Sequence, residues 1–261
     1  MSKGKYTKTT KISGYKPLAL LLALALLMGC AIGGTIAWLT DKTQEVKNTF
    51  TTSNIDITLE ETGTTENEDT GNESKNYTMV PGWTMSKDPV VTVSGESEDC
   101  YLFVKVVKSG SATLGTGQTA QTLGIDDYLA YNLATEDTNA GWTQLKGADN
   151  KDVPNVYYRI VNKADTTKAF HLLLAGSIEG GYSWKQDEVL TRPTVTKEMM
   201  DALKVDGAVE PSITFTAYAS QLWKTNKPTK TTDMTEAEYT TAVANAQFTP
   251  AEAWSNVNPT T

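Results

Sequence analysis

The chain has 261 residues, 23 of them basic and 31 acidic, for a formal net charge of −8. Five of the lysines lie within residues 1–16, so the remainder holds 18 basic against 31 acidic side chains, a net charge near −13. A surface of that sign repels nucleic acid and anionic lipid, whose binding rests on Lys and Arg contacts to phosphate. No nucleic-acid partner is expected, and the length suffices for one domain with a substantial core.

Lys3, Lys5, Lys8, Lys11 and Lys16 precede a run at 18–29 that is almost purely Leu and Ala. A basic region followed by an apolar region of this length is the pattern of a secretory signal, which touches the membrane only transiently. Thr35-Ile36-Ala37 sets small residues at the −3 and −1 positions of a cut before Trp38. The expectation is therefore cleavage between Ala37 and Trp38. Two alternatives remain open. The 24 uncharged residues between Lys16 and Asp41, at about 1.5 Å each, are long enough to cross a bilayer core as an uncleaved anchor, although Gly29, Gly33 and Gly34 interrupt them. Leu27-Met28-Gly29-Cys30 is close to a lipobox with Cys30 as lipid acceptor, with an atypical methionine in second place. The organisation expected is a signal peptide at 1–37, a flexible polar segment at 38–49, and one β-sandwich domain at 50–261 with helical additions near its end.

Beyond the leader the dominant signal is alternation of period two, which marks half-buried strands. Ile55, Ile57 and Leu59 alternate with Asp56 and Thr58. Val91 and Val93 lie in the short run 89–94. In CYLFVKVV, Leu102, Val104 and Val106 share one face while Tyr101, Phe103 and Lys105 share the other. Val156, Tyr158 and Ile160 form a further set, AFHLLLA at 169–175 another, and Ile213, Phe215, Ala217 and Ala219 a last one. Short strands without amphipathic helices between them indicate an all-β sandwich or jelly roll rather than a parallel α/β sheet. Two segments read as loops. Residues 62–77 hold Glu66, Glu68, Asp69 and Glu73, carboxylates of the kind that ligate Ca²⁺, without EF-hand spacing. Residues 110–124 read as a flexible connection, because their GTG lacks the GK[ST] of a phosphate loop. Helices are expected near 196–204, and at 235–247 and 249–254. The last two open on Thr235 with Glu238 and Thr249 with Glu252, the spacing of a capping box, the second with Pro250 at its first position.

The chemistry-bearing residues are few. If Cys30 leaves with the leader, Cys100 stands alone and no internal disulfide forms; its place in a strand indicates a buried residue. The single histidine, His171, lies in an apolar run and reads as a strand position. One His and one Cys do not assemble the usual zinc sites, and neither an HExxH helix nor a GxSxG elbow is present. The pairs Asp126-Asp127 and Asp187-Glu188 are adjacent, so on a strand they point to opposite faces, unlike a glycosidase pair. Trp83, Trp142, Trp184 and Trp223 offer a sugar platform or, more ordinarily, core and rim packing. No catalytic, cofactor or metal residue is assigned, and no cofactor or enzymatic activity is expected.

The leader, the pair Gly33-Gly34, Thr35-Ile36-Ala37-Trp38-Leu39-Thr40-Asp41-Lys42, then Asn48-Thr49-Phe50 and Asn54-Ile55-Asp56-Ile57-Thr58-Leu59 together resemble the start of the TasA/camelysin family. Val80-Pro81-Gly82 before Pro89-Val90-Val91-Thr92-Val93 looks like that family's Pro-Gly turn and next strand. The run 213–221 is similar to its late strand ending in Ala-x-Gln, and Ala251-Glu252-Ala253-Trp254 to its closing helix. Trp83 follows Gly82 where an acid is usual, Asn54 stands where Gly is frequent, and 110–152 has no counterpart. The resemblance implies a jelly-roll β-sandwich, processing by a SipW-type signal peptidase, and a secreted subunit that polymerises with copies of itself in a biofilm matrix or on the cell surface. The segment freed by the cut, with Leu39, Val46 and Phe50 as its apolar positions, would be a donor strand for a neighbour or an edge strand in its own subunit. A surface adhesin or carbohydrate-binding module is the alternative function, and a camelysin-like protease a weaker one.

Overall fold

The structure, a computed structural model, describes residues 55–62, 65–66, 73–74 and 76–258. The chain divides into two units, Met1–Thr43 and Gln44–Thr261, and every described residue belongs to the second.

In chain order the strands are β1 (Ile57–Glu60), β2 (Thr65–Glu66), β3 (Glu73–Ser74), β4 (Thr84–Ser86), β5 (Val90–Val93), β6 (Cys100–Leu114) and β7 (Gln121–Gly124). Helix α1 (Ile125–Tyr128) leads to β8 (Leu129–Ala130), β9 (Thr143–Lys146), β10 (Asp152–Val161), β11 (Ala169–His171), β12 (Gly176–Ser177), β13 (Ser183–Trp184) and β14 (Glu188–Thr191). Helix α2 (Lys197–Ala202) precedes β15 (Val209–Gln221), and α3 (Glu236–Ala246) and α4 (Pro250–Val257) follow it. The fold is all-β with a few short helices. Its central sheet runs β15-β6-β10-β9, with β7 also on β6; β1-β5-β11 and β4-β14-β8 form two smaller sheets, and β2-β3 and β12-β13 two ribbons. Every ladder is antiparallel.

Strand β6 sets the architecture because its first half is apolar on both faces. Cys100, Leu102, Val104 and Val106 enter one cluster with Ile57, Val91, Val93 and Phe170 of the β1-β5-β11 sheet, so the two sheets share a core. Ile213, Ala217 and Ala219 of β15 extend that face, as the alternation predicts. Tyr101 and Phe103 point the other way, into a cluster with Val156, Leu222, Ala253, Trp254 and Val257. The Trp254 ring lies 5.3 Å from Phe103 and 5.1 Å from Tyr218, centroid to centroid. Helix α4 thus roofs the second face. Past it, Lys105, Val107 and Thr214 are exposed, and at the opposite end of this face Ile160, which stands across from Tyr101 near the end of β10, is 42 % exposed.

The capping signals act as the sequence predicts. The Thr249 and Thr235 hydroxyls accept the Glu252 and Glu238 N–H groups, and each glutamate accepts the threonine N–H in return. Pro250 occupies the first turn of α4, where no intrahelical N–H is required. Thr196 caps α2 by accepting from Met199 N. Pro81 and Gly82 form a tight turn closed by Trp83 N donating to Val80 O at 2.9 Å, with Gly82 at φ 79°, the conformation that position three of a type II turn demands.

The stretch 110–124 is not a loose connection. Strand β6 continues to Leu114, turns through residues 115–120, and returns as β7, with Ser111 to Leu114 paired against Gly124 to Gln121. Ala112 and Leu123 are buried there. Threonines and serines supply the extended preference and only two side chains supply the core, so the pattern is masked by a loop-like composition. Within 62–77 the short β2-β3 ribbon is formed, with Glu66 opposite Glu73, while Glu68 and Asp69 lie outside the described residues.

Because the covered face of β6 depends on the α4 roof, Trp254→Ala is expected to lower stability by about 3–5 kcal/mol in urea unfolding. Trp83→Ala, at a side chain 68 % exposed, is expected to stay within about 0.5 kcal/mol of the parent.

Candidate functional site

The positions expected to matter for processing and strand donation, Ala37, Trp38, Leu39, Val46 and Phe50, lie outside the described residues. What the structure describes is the body that would receive such a strand. Among the described residues the central sheet ends at β9 on one side and β15 on the other. The β9 edge is four residues long, its pairing with β10 is irregular between Asp152 and Tyr157, and Lys146 on it pairs with Asp152 at 2.7 Å. Short, bulged, lysine-bearing edges resist further pairing. Strand β15 is longer and carries no lysine. It runs for 13 residues, residues 212–221 carry no charge, and among the described residues it pairs with no strand except β6. Pro211, which has no N–H to donate, stands where its ladder with β6 breaks register.

The end of β15 is locked by Asp99, a carboxylate only 8 % exposed. Lys163 N donates to its Oδ1 at 2.8 Å, and Trp223 Nε1 and Lys227 Nζ donate to its Oδ2 at 2.9 Å each. Burial pushes the carboxyl up, but the bonds from Lys163, Lys227 and Trp223 outweigh it and hold the group below the usual carboxylate range. One side chain therefore ties the start of β6, the exit of β10 and the segment after β15. Next to it Cys100 is fully buried, and burial pushes its thiol up to about 12, so it is a core residue as its strand position indicates.

His171 ends β11 on the exposed side, its Nδ1 2.8 Å from Asp187 Oδ2. Asp187 sits at φ 62° and its Oδ1 is buried without a partner. Among the described residues no hydroxyl bonds to the other nitrogen of His171. The adjacent acid pairs act separately. Asp127 caps the Gly124 N–H, Asp126 accepts from Tyr131, and Glu188 accepts from Lys185 N. Among the described residues no group of three or more His, Cys, Asp and Glu is placed to hold a metal ion.

The four tryptophans do not share a platform. Trp142 belongs to the main core, Trp184 to a small cluster with Ala130 and Leu190, and Trp223 packs beside the α4 cluster; Trp83 alone is largely exposed. The two arginines of the chain are the residues that sequence reasoning passed over. The Arg159 guanidinium stacks 3.8 Å from the Phe170 ring centroid and 5.3 Å from that of Trp142, and burial pulls its pKa below the ordinary value. Arg192 instead lines a pocket of about 350 Å³ with Asp126, Tyr131, Asn132 and Trp184. The one sequence signal was rarity: two arginines against 21 lysines mark places where a planar, forked cation is required.

No protein-family model, curated protein or solved structure matches the chain.

Asp99→Ala leaves the Lys163 and Trp223 donors unpaired, and at neutral pH a loss of about 1–3 kcal/mol per orphaned group is expected in urea unfolding. A carboxyl with a depressed folded pKa contributes stability above its unfolded value and loses it as pH falls through the folded one. The gap between parent and variant should therefore shrink below about pH 3.9; a gap independent of pH would contradict the role of the charge.

Proposed function

We propose that the chain is an exported structural subunit of a biofilm matrix or cell surface, of the TasA/camelysin kind, with a jelly-roll-like β-sandwich body that assembles by strand addition. The observation that carries this reading is β15, a long strand without charge over residues 212–221, with no second strand paired to it among the described residues. Such an edge is a template for another chain unless it is covered, and proteins ordinarily cover or charge it. Cleavage between Ala37 and Trp38 by a SipW-type signal peptidase would free a polar segment containing Leu39, Val46 and Phe50. Added to β15 of the next subunit, that segment would give main-chain hydrogen bonds without a large apolar interface. The contact is heterologous, head to tail, and therefore propagates as a filament rather than closing as a dimer. The net charge near −13 that remains after the leader keeps the free subunit soluble until pairing occurs.

The adhesin reading keeps one observation in its favour, the exposed indole of Trp83 beside the Pro81–Gly82 turn, against which Tyr182 packs. It predicts that glycan binding, and not assembly, depends on Trp83.

Electron microscopy of the secreted protein tests the main reading. The processed chain is expected to form fibres, and a chain lacking residues 38–48 to remain monomeric with an unchanged unfolding transition. Fibres from the shortened chain would mean that the freed segment is not the donor.

A further inference from the structure

The Arg192 pocket is walled by α1 and its exit, strands β8 and β12, and Trp184 of β13. Arg192 Nε donates to the backbone oxygens of Asp126 at 2.6 Å and Leu129 at 3.2 Å. These bonds orient the guanidinium, and among the described residues they engage one of its three nitrogens. Among the described residues no carboxylate lies within ion-pair distance of Arg192, although the chain carries 31 acids. The nearby Asp126 carboxylate is turned to the Tyr131 hydroxyl, which bonds its Oδ1 and leaves Oδ2 as a free acceptor. Asn132 donates its Nδ2 to Ala175 O at 3.1 Å, which leaves its Oδ1 as a second acceptor. The Trp184 indole is pinned by Nε1 donating to Leu174 O at 3.2 Å and lies so close over Gly176 that a Cβ there would fall 2.4 Å from the ring. Gly176 is therefore required by the position of the indole.

We propose that this pocket binds a sugar that carries a carboxylate, of the hexuronate class. The Arg192 fork presents paired N–H donors to a planar carboxylate, the geometry for which arginine is suited and lysine is not. Asp126 and Asn132 supply acceptors for ring hydroxyls, and Leu129, Ile178 and Trp184 supply an apolar wall for the C–H face of the ring. The volume of about 350 Å³ suits one hexose unit. A phosphate dianion brings more negative charge toward the Asp126 carboxylate than a single carboxylate does, and glycine leaves both the apolar wall and most of the volume unused. The inference does not depend on assembly: it holds for a monomer and for a fibre, and its failure would leave the assembly reading untouched.

Calorimetric titration of the purified processed chain with glucuronate, set against glucose, glycine and inorganic phosphate, tests it. One saturable site for glucuronate is expected, with glucose weaker by about tenfold or more for lack of the charged bond. Arg192→Lys, which keeps the charge and loses the fork, is expected to weaken glucuronate by a similar factor. Ser177→Trp, at an exposed position on the pocket rim, is expected to abolish binding while leaving the unfolding transition unchanged, and so reports on the pocket even if the arginine variant is unstable. Absence of saturable glucuronate binding, equal affinity for glucose, or affinity unchanged by both substitutions would overturn the proposal. Preferential binding of glycine or phosphate would overturn the sugar assignment.

Discussion

The double burial of β6 over Cys100 to Val104 is the constraint on which the rest of the molecule depends. Most strands in a layered β-protein face water on one side. Here successive residues are apolar in both directions, so the strand is stable only with a sheet on one face and a roof on the other. The β1-β5-β11 sheet supplies the first and α4 the second. The roof is itself an economical device: eight residues, opened by a reciprocal Thr249–Glu252 cap, place Trp254 across Phe103 and Tyr218. Where α4 ends, the covered face ends, and β6 continues as an ordinary exposed hairpin with β7.

That arrangement has a consequence for the edge. With β10 on one side of β6 and β15 on the other, β15 is the last strand on its side of the sheet among the described residues, and Asp99 fastens its end through Trp223 and Lys227. A template for strand addition must hold its backbone groups in place before the partner arrives, since ordering them during association would consume binding energy. The doubly buried strand and the buried carboxylate provide that rigidity. The proposed sugar pocket uses a different part of the molecule and a different physics, a fixed cation in an acidic chain.

Much of the body was legible in sequence because it is written in local patterns. Alternation in CYLFVKVV assigned both faces of β6, the two threonine–glutamate boxes placed α3 and α4, and Val80-Pro81-Gly82 marked a turn whose φ only glycine meets freely. The hairpin at 110–124 was not legible, since Gly, Ser and Thr dominate it and Ala112 and Leu123 are too few to show a period. His171 was read as a strand residue from its apolar neighbours, and it is one, but its exposure and its contact with Asp187 depend on a turn sixteen residues away and on no local signal. The pocket was illegible for the same reason: Asp126, Asn132, Trp184 and Arg192 come from separate elements, and Arg192 is oriented by backbone carbonyls that a sequence does not display. The separation of the tryptophans into different clusters likewise follows from topology.

Hydrogen exchange resolved by peptide, measured on the free subunit and on the assembled protein, tests the central claim most directly. Amides of Cys100 to Val104 are expected to be protected in both states, whereas amides of β15 that do not face β6 are expected to exchange rapidly in the free subunit and become protected on assembly. Unchanged exchange along β15 in fibres, or protection of the whole strand before assembly, would contradict it.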